Sequence, residues 1–230
     1  MSIEVTDLAV TIGSHTILDG VTLTCRPGEV LALVGASGSG KTTLLNCLGL
    51  LQRPTRGTIR VDGVDATGWG ERPRQRFWRD KAAFIYQDYG LIDEDSLAYN
   101  VTLTQPGPFR RRPRISPRVE DTLATVGLAG RALDRVSVLS GGEKQRAGVA
   151  RALYKKASYI FADEPTASLD ADNRHTVTRL LAKAAADGAC VVIATHDEEL
   201  AAHADTAITL GTAPDSLPEK RVESENARGR

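Results

Sequence analysis

Apolar residues along the first quarter of the chain follow the alternation that is typical of half-buried strands. Residues 3–34 form short runs rich in β-formers, which break at Gly13-Ser14 and at Pro27-Gly28. Such breaks predict antiparallel strands joined by turns, and residues 57–62 repeat the pattern. We therefore expect a small antiparallel β subdomain at the start of the chain.

Continuous apolar runs dominate the later part of the chain, where they alternate with helical patterns. Runs at 82–86, 158–162, 190–194 and 206–210 predict strands, and the spacing of residues 140–154 and 171–186 predicts helices. Strands that alternate with helices indicate a mostly parallel sheet covered by helices. The expected class is therefore α/β.

The β pattern is absent between residues 88 and 139. Residues 96–103 and 116–126 have helical spacing, and residues 105–113 between them are rich in proline and arginine, which predicts a mobile connection. We expect a small α-helical subdomain at about 89–138, inserted into a single domain that spans 1–213. Residues 214–230 are polar and have no periodicity, so they predict a disordered tail.

A glycine-rich loop joins an apolar run at 29–34 to a helical pattern at 44–50, and it reads Gly35-Ala36-Ser37-Gly38-Ser39-Gly40-Lys41-Thr42-Thr43. Strand, loop and helix in this order predict a P-loop, whose backbone N–H groups and helix N-terminus face phosphate oxygens. Lys41 would supply a cation to the phosphates and Thr42 a hydroxyl to Mg²⁺. The alternative is a glycine-rich turn with a solvated lysine. The predicted nucleotide-binding residues are Gly35, Ser37, Gly38, Ser39, Gly40, Lys41, Thr42 and Thr43.

Two acidic residues directly follow a predicted buried strand. Asp163 and Glu164 come after residues 158–162, at the carboxyl edge of the sheet where α/β folds bind ligands. Asp163 is suited to hold Mg²⁺, and Glu164 can polarise a water for attack on a γ-phosphorus. The plainer alternative is an acidic turn.

The segment 139–145 contains a potential helix cap and two adjacent glycines. Ser140 can cap the helix that follows, and Gly141 and Gly142 leave backbone N–H groups open to an anion. Taken by itself, this segment is an ordinary helix N-terminus.

Up to about Leu210 the chain resembles the nucleotide-binding subunits of ATP-binding cassette (ABC) transporters. The glycine loop corresponds to the Walker A motif, residues 163–164 to the end of Walker B and residues 139–145 to the signature. Gln87 matches the Q-loop, residues 168–170 the D-loop and His196 the switch histidine. The resemblance implies a P-loop NTPase (RecA-like) core with an antiparallel β subdomain and a small α-helical subdomain.

The resemblance also implies a mechanism that uses ATP and Mg²⁺. Two subunits would form a head-to-tail homodimer, with each ATP between the glycine loop of one subunit and Ser140, Gly141 and Gly142 of the other. Gln87 would contact Mg²⁺ and the attacking water, and His196 the γ-phosphate. The implied catalytic residues are Glu164, His196 and Gln87, and the implied metal ligands are Thr42, Gln87 and Asp163.

One position departs from the family pattern. These ATPases usually have an aromatic residue in an early loop that stacks on adenine, and the spacing places Ile12 there. Isoleucine offers an apolar contact but no π face. His15 could substitute if the loop is shifted, so two residues remain candidates for the adenine contact.

Within the superfamily, residues 50–57 and 84–93 resemble the ATPases of macrolide export and lipoprotein release, and residues 86–100 those of bacteriocin (lactococcin-972-type) export systems. This implies a subunit that couples ATP-driven dimerisation to export of a peptide, lipid-linked or hydrophobic substrate by a separate transmembrane permease. The protein would be peripheral to the cytoplasmic face of the plasma membrane, bound through that permease.

Composition bears on the remaining alternatives. Lys plus Arg and Asp plus Glu both number 29, so charge gives no argument for nucleic acid, and the arginine-rich residues 110–114 are more simply a solvated loop. The first residues carry acids where a signal peptide would have a basic region and an apolar core, so we expect no such peptide, and no run approaches ~20 apolar residues. The three cysteines lack C-x-x-C spacing, which predicts reduced core thiols.

A soluble ABC-type ATPase that acts on nucleic acid or ribosomes is the second hypothesis. Such proteins usually fuse two cassettes or insert coiled coils or zinc modules, and this sequence has one cassette without sustained heptads or cysteine clusters. A P-loop kinase or GTPase would not explain residues 139–145.

Overall fold

Two β-sheets organise residues 1–104 and 115–211, the parts of the chain that the computed structural model describes. The strands are β1 (Ile3–Ile12), β2 (His15–Cys25), β3 (Val30–Val34), β4 (Arg56–Val61), β5 (Val64–Asp65), β6 (Ala82–Ile85), β7 (Tyr159–Asp163), β8 (Cys190–Thr195) and β9 (Thr206–Thr209). The helices are α1 (Lys41–Leu48), α2 (Glu71–Asp80), α3 (Leu97–Thr102), α4 (Pro117–Thr125), α5 (Gly141–Lys155), α6 (Ala171–Ala186) and α7 (Glu198–Ala202).

The first sheet is antiparallel and has the strand order β2-β1-β4-β5. β1 and β2 form a hairpin that closes with Ile12 opposite His15, and Gly13 in its turn has a φ of 62°, in the left-handed region that favours glycine. This sheet is the predicted β subdomain. The last apolar run assigned to it, residues 30–34, is instead a strand of the other sheet.

The second sheet is parallel and has the order β6-β7-β8-β3-β9. Every residue of β8 is buried, because both faces of the sheet are covered. Ile160 and Ile193 face a core shared with α5 and α6, whereas Phe161 and Val192 face a core shared with α1 and the antiparallel sheet. The parallel sheet is thus the middle layer between two hydrophobic cores.

Two short helices pack on α5 and form the predicted helical part of the chain. Ser96 caps α3 and Ser116 caps α4, each through a side-chain oxygen that accepts a backbone N–H. Asn100 is fully buried and exchanges hydrogen bonds with the backbone of Ile92. The predicted connection at 105–113 and the predicted tail at 214–230 lie outside the described residues.

Two further expectations concern cysteines and membrane spans. Cys25, Cys47 and Cys190 are all buried and free, as predicted for reduced core thiols. Among residues 1–104 and 115–211, no helix has both the length and the apolarity needed to cross a bilayer.

We expect Phe161→Ala to lower the free energy of unfolding by about 3–5 kcal/mol, since it leaves a cavity in the middle layer. Phe161 is 1% exposed and its ring centroid lies 5.3 Å from that of Phe84. Urea denaturation measures the change. Val64→Ala is the control, because Val64 is 56% exposed on an edge strand. A loss of similar size in both variants would contradict this description of the core.

Candidate functional site

The glycine loop lies between β3 and α1. Gly38 and Gly40 have φ values of 82° and 91°, a region that residues with a Cβ rarely adopt. A Cβ on Gly40 would lie 2.8 Å from Cδ2 of Leu18, so β2 passes directly beside the loop. Gly40 is also the N-cap of α1 and has no side chain to occupy the first N–H groups of that helix. The loop therefore offers backbone donors to an anion.

Two buried polar side chains lie within this loop. Lys41 is 7% exposed, and its Nζ donates to the carbonyl oxygens of Gly35 at 2.8 Å and Ala36 at 2.9 Å. Ser39 is 3% exposed, and its Oγ has no hydrogen-bond partner among the described residues. Because buried polar groups are nearly always paired, this hydroxyl fits a loop that takes a polar ligand.

Asp163 ends β7 beside the first turn of α1. Its Oδ1 accepts a hydrogen bond from Thr42 Oγ1 at 3.1 Å. Burial raises the pKa of Asp163, and the neighbouring Glu164 raises this pKa further, against the opposite effects of Thr42 and Lys41. A carboxylate and a hydroxyl at this distance are oxygen donors of the kind that Mg²⁺ prefers.

Glu164 and His196 are directly paired. Glu164 Oε1 lies 2.9 Å from His196 Nδ1 and 3.9 Å from Lys41 Nζ, and Oε2 accepts a hydrogen bond from Thr195 Oγ1 at 3.3 Å. Glu164 has a φ of 46°, a left-handed conformation that costs a non-glycine residue about 1–2 kcal/mol. Such strain is typical of functional sites. The Glu164 side chain is 14% exposed and that of His196 is 66% exposed.

Gln87 lies at the same edge of the sheet. In the parallel pairing of β6 with β7, Ile85 is opposite Ala162, so Gln87 follows the carboxyl end of β6 just as the acidic pair follows Ala162. Its side chain is exposed. The structure therefore brings the glycine loop, Asp163, Glu164 and His196 into contact, and it places Gln87 at the same edge of the sheet.

Ser140 is the N-cap of α5 and forms a reciprocal capping box with Glu143. Ser140 Oγ accepts from the Glu143 N–H at 3.3 Å, and Glu143 Oε2 accepts from the Ser140 N–H at 2.8 Å. Gly142 is buried, and a Cβ there would lie 2.4 Å from Cγ of Asn173. Within the described part of the chain, the hydrogen bonds of Ser140 are to Glu143 and Lys144, and none reaches the glycine loop.

The two candidates for an adenine contact are neighbours across the β1–β2 hairpin. Ile12 is 56% exposed and pairs with His15, which is also exposed. Because cross-strand partners lie on the same face of a sheet, the pairing does not favour one candidate over the other.

The sequence interpretation missed the group that fixes the backbone after His196. Asp197 caps α7 by accepting from the N–H groups of Glu199 and Leu200, and it also accepts from Thr166 Oγ1 at 3.4 Å. Arg174 Nε lies 3.6 Å from the same carboxylate. An aspartate followed by two glutamates is a helix-start signal, but α7 has only five residues and so shows little periodicity.

Cavity volume does not identify this site. One cavity of about 540 Å³ is lined by residues such as Thr122, Lys156, Ser158 and Ala189, which places it at the amino ends of β7 and β8. The glycine loop, Asp163, Glu164 and His196 lie at the carboxyl ends of the strands, the edge at which α/β sheets bind ligands. The chemistry of the side chains therefore identifies the candidate site, and the volume of this cavity does not.

Sequence comparisons identify relatives over most of the chain. The profile of a family described as ABC transporter matches residues 18–167. The lipoprotein-releasing system ATP-binding protein LolD of Bordetella pertussis is 42% identical over 190 residues, which are 82% of each chain. The macrolide export ATP-binding/permease protein MacB of Azoarcus sp. is 40% identical over 196 residues, 84% of this chain and 30% of that protein.

Solved structures show the same architecture. A dimeric structure of the ATP-binding cassette MJ0796, in a post-hydrolysis state bound to ADP and Pi, matches with a TM-score of 0.78 and 32% identity over 90% of this chain and 94% of that chain. The cbiO1 protein of Clostridium perfringens, part of an ABC transporter complex, matches with a TM-score of 0.76 and 24% identity over 90% of this chain and 84% of that chain. At this identity the match supports the fold alone.

We expect Asp163→Asn to stabilise the nucleotide-free protein at pH 7. The pKa of Asp163 is higher in the folded protein than in the unfolded chain. Protonation of Asp163 therefore stabilises the fold fully below the ordinary aspartate pKa of about 3.9, and this stabilisation is lost as the pH rises through the raised pKa. Asparagine can still accept the Thr42 hydrogen bond, so the gain over the wild type should shrink as the pH falls. Urea denaturation between pH 7 and pH 4 measures this. A variant less stable than the wild type at pH 7 would contradict the direction of the shift.

Proposed function

The chain belongs to the ABC transporter family, and from this premise we propose that it hydrolyses ATP to drive a separate membrane-spanning permease. Membership confirms the predicted P-loop NTPase fold and the predicted function of an ATP-binding subunit with ATPase activity. The observation that best supports the proposal is the meeting of Lys41, Asp163, Glu164 and His196 at one edge of the sheet.

The triphosphate of ATP would lie on the glycine loop. Backbone N–H groups, the Ser39 hydroxyl and Lys41 are the donors, with Lys41 leaving its carbonyl partners for phosphate oxygens. Thr42, Asp163 and Gln87 would hold Mg²⁺, which neutralises phosphate charge when bound. Magnesium usually keeps waters and phosphate oxygens as most of its ligands. This agrees with the absence, among the residues described, of any group of three His, Cys, Asp or Glu arranged for a metal.

Glu164 would act as the general base of hydrolysis. Its carboxylate would accept a proton from a water as the water oxygen bonds to the γ-phosphorus and the bond to ADP breaks. Thr195 and His196 hold this carboxylate in place through the contacts given above. The exposed ring of His196 and the amide of Gln87 would contact the γ-phosphate and the water.

Two protomers would share the ATP sites. Ser140 and Gly141 are exposed at the start of α5, and among the described residues the hydrogen bonds of Ser140 stay within its own helix turn. In a head-to-tail homodimer these residues and Gly142 would contact the γ-phosphate held by the partner. The dimeric MJ0796 cassette supports this arrangement for a relative of similar length.

The remaining proposals concern partner, location and substrate. The permease would be a separate chain, as the name of the LolD relatives describes an ATP-binding protein, and this subunit would be peripheral to the cytoplasmic face of the membrane. Relatives named for lipoprotein release and macrolide export favour export of a peptide, lipid-linked or hydrophobic substrate. Ile12 or His15 would contact adenine, and residues 1–213 would form one domain.

We expect Lys41→Ala to lower ATP turnover by about 100-fold or more, because it removes the cation next to the transferred phosphate. Release of inorganic phosphate by the purified protein measures turnover. Lys183→Ala is the matched control, since Lys183 pairs with Asp187 at the far end of α6. Full activity in Lys41→Ala would refute the proposed function.

We also expect Glu164→Gln to be monomeric without nucleotide and dimeric with ATP and Mg²⁺, because ATP then bridges two protomers without being consumed. Adding Ser140→Arg should prevent this dimer by filling the γ-phosphate subsite, while ATP binding to the monomer persists. Size-exclusion chromatography with light scattering distinguishes the two states. A Glu164→Gln protein that stays monomeric, even with its permease present, would exclude the shared sites.

A further inference from the structure

The turn that follows Gln87 is held in an uncommon backbone conformation. Tyr89 and Gly90 have φ values of 69° and 55°, so both are left-handed. Tyr89 is a bulky residue for which this conformation is unfavourable. The Tyr89 N–H donates to the Tyr86 carbonyl at 3.0 Å, which closes the turn. Such a turn needs contacts from elsewhere in the protein to keep its shape.

Arg151, on the third turn of α5, supplies contacts on both sides of Gln87. Its Nη1 donates to the Gly90 carbonyl at 2.7 Å, and its Nη2 donates to the Phe84 carbonyl at 3.3 Å. Burial lowers the pKa of this guanidinium, so the charge is kept in the protein at a cost. Phe84 lies three residues before Gln87 and Gly90 three residues after it. The guanidinium thus spans the segment that contains Gln87.

Tyr89 contacts the other end of the same helix. A Cβ on Gly141 would lie 2.8 Å from the Tyr89 phenol oxygen, so the phenol lies against the first residue of α5. A Cβ on Gly148 would lie 3.7 Å from the Tyr89 carbonyl oxygen. Glycine at position 141 lets the phenol approach the helix backbone closely, whereas Gly148 lies at ordinary contact distance from the turn. The turn is therefore fixed to α5 at two points, one at Gly141 and one at Arg151.

We propose that Tyr89 and Arg151 are positioning residues that join Gln87 to the signature segment, so that the two ATP sites of the dimer are linked within each protomer. The inference rests on the proposed function, in which Gln87 serves the ATP of its own protomer and Ser140–Gly142 serve the ATP of the partner. An α-helix is stiff along its axis, so a shift of the turn moves the start of α5 with it. ATP bound in one site thereby favours the geometry that completes the second site.

A double-mutant cycle on ATP hydrolysis tests the first half of the link. Arg151→Met keeps the apolar volume and removes both hydrogen bonds, so we expect kcat at saturating ATP to fall about tenfold, with a rise in KM no larger than about fivefold. In a Gln87→Ala background the same substitution should change kcat less than about twofold, because its effect acts through Gln87. Equal losses of kcat in both backgrounds, or a loss confined to KM, would overturn the proposal.

Dimerisation tests the second half of the link. In the Glu164→Gln background, Arg151→Met should raise the ATP concentration for half-maximal dimer formation about fivefold, while ATP binding to the Ser140→Arg monomer stays unchanged. An unchanged midpoint would overturn the connection to the signature segment. If Arg151→Met does not fold, Tyr89→Ala takes its place in both measurements, since it removes the phenol that lies against Gly141.

The matched control is Arg118→Met. Arg118 on α4 also donates to a backbone carbonyl, that of Tyr154, and it stacks on the Tyr154 ring, but it lies away from Gln87. It should change neither kcat nor the dimerisation midpoint, and an equal effect would show that loss of any such arginine acts through general stability. Failure of the proposed function is distinguishable, because it would appear as a wild-type protein whose phosphate release equals that of Lys41→Ala.

Discussion

The register of the parallel strands is the constraint on which the site depends. Val34 pairs with Thr195, and Asp163 pairs with Ala194, so the segments that follow β3, β7 and β8 leave the sheet at the same level. A slip of one residue would separate Glu164 from His196 and turn every side chain of the strand to the opposite face. Neighbouring residues of β7 face different cores, so such a slip would put Phe161 into the helix side and Ile160 into the α1 side. Packing of the two cores therefore fixes the geometry of the polar edge.

The carboxyl edge of the parallel sheet contains several features that destabilise the folded protein when no ligand is bound. Burial raises the pKa of Asp163, Glu164 has a left-handed backbone, and the Ser39 hydroxyl is buried without a partner in the described residues. The left-handed backbone and the unpaired hydroxyl each cost the folded state of order 1–3 kcal/mol. The central layer offsets these costs, since its strands are buried on both faces. A ligand with phosphate oxygens and a divalent cation would give the Asp163 carboxylate and the Ser39 hydroxyl the partners that they lack, which links stability of this edge to nucleotide binding.

Local sequence was sufficient for most elements and for the motifs, but not for their connections. The predicted helix at 171–186 has these bounds in the structure, because a long amphipathic pattern between an aspartate cap and a glycine is unambiguous. The run at 30–34 was predicted in the wrong sheet, because the local sequence of a buried strand does not indicate which strands lie next to it. The strand order β6-β7-β8-β3-β9 and the contacts of Arg151 and Asp197 join residues far apart in sequence, and periodicity within a short window has no information about them. The roles of the site residues stay predictions.

The chemistry of Ser140 shows why one residue can serve both the helix and a shared ATP site. A hydroxyl has two acceptor lone pairs and one donor proton. The Glu143 N–H uses one lone pair to cap α5, and the Glu143 carboxylate, which lies 2.5 Å from Arg131 Nη1, takes the Ser140 N–H. The hydroxyl proton is not needed for this capping box, so it can be donated to a phosphate oxygen from the partner. An aspartate would cap the helix equally well, but its charge would oppose the γ-phosphate. Serine therefore suits both the fold and the proposed site, because the helix cap uses only one lone pair of the hydroxyl and leaves its proton available.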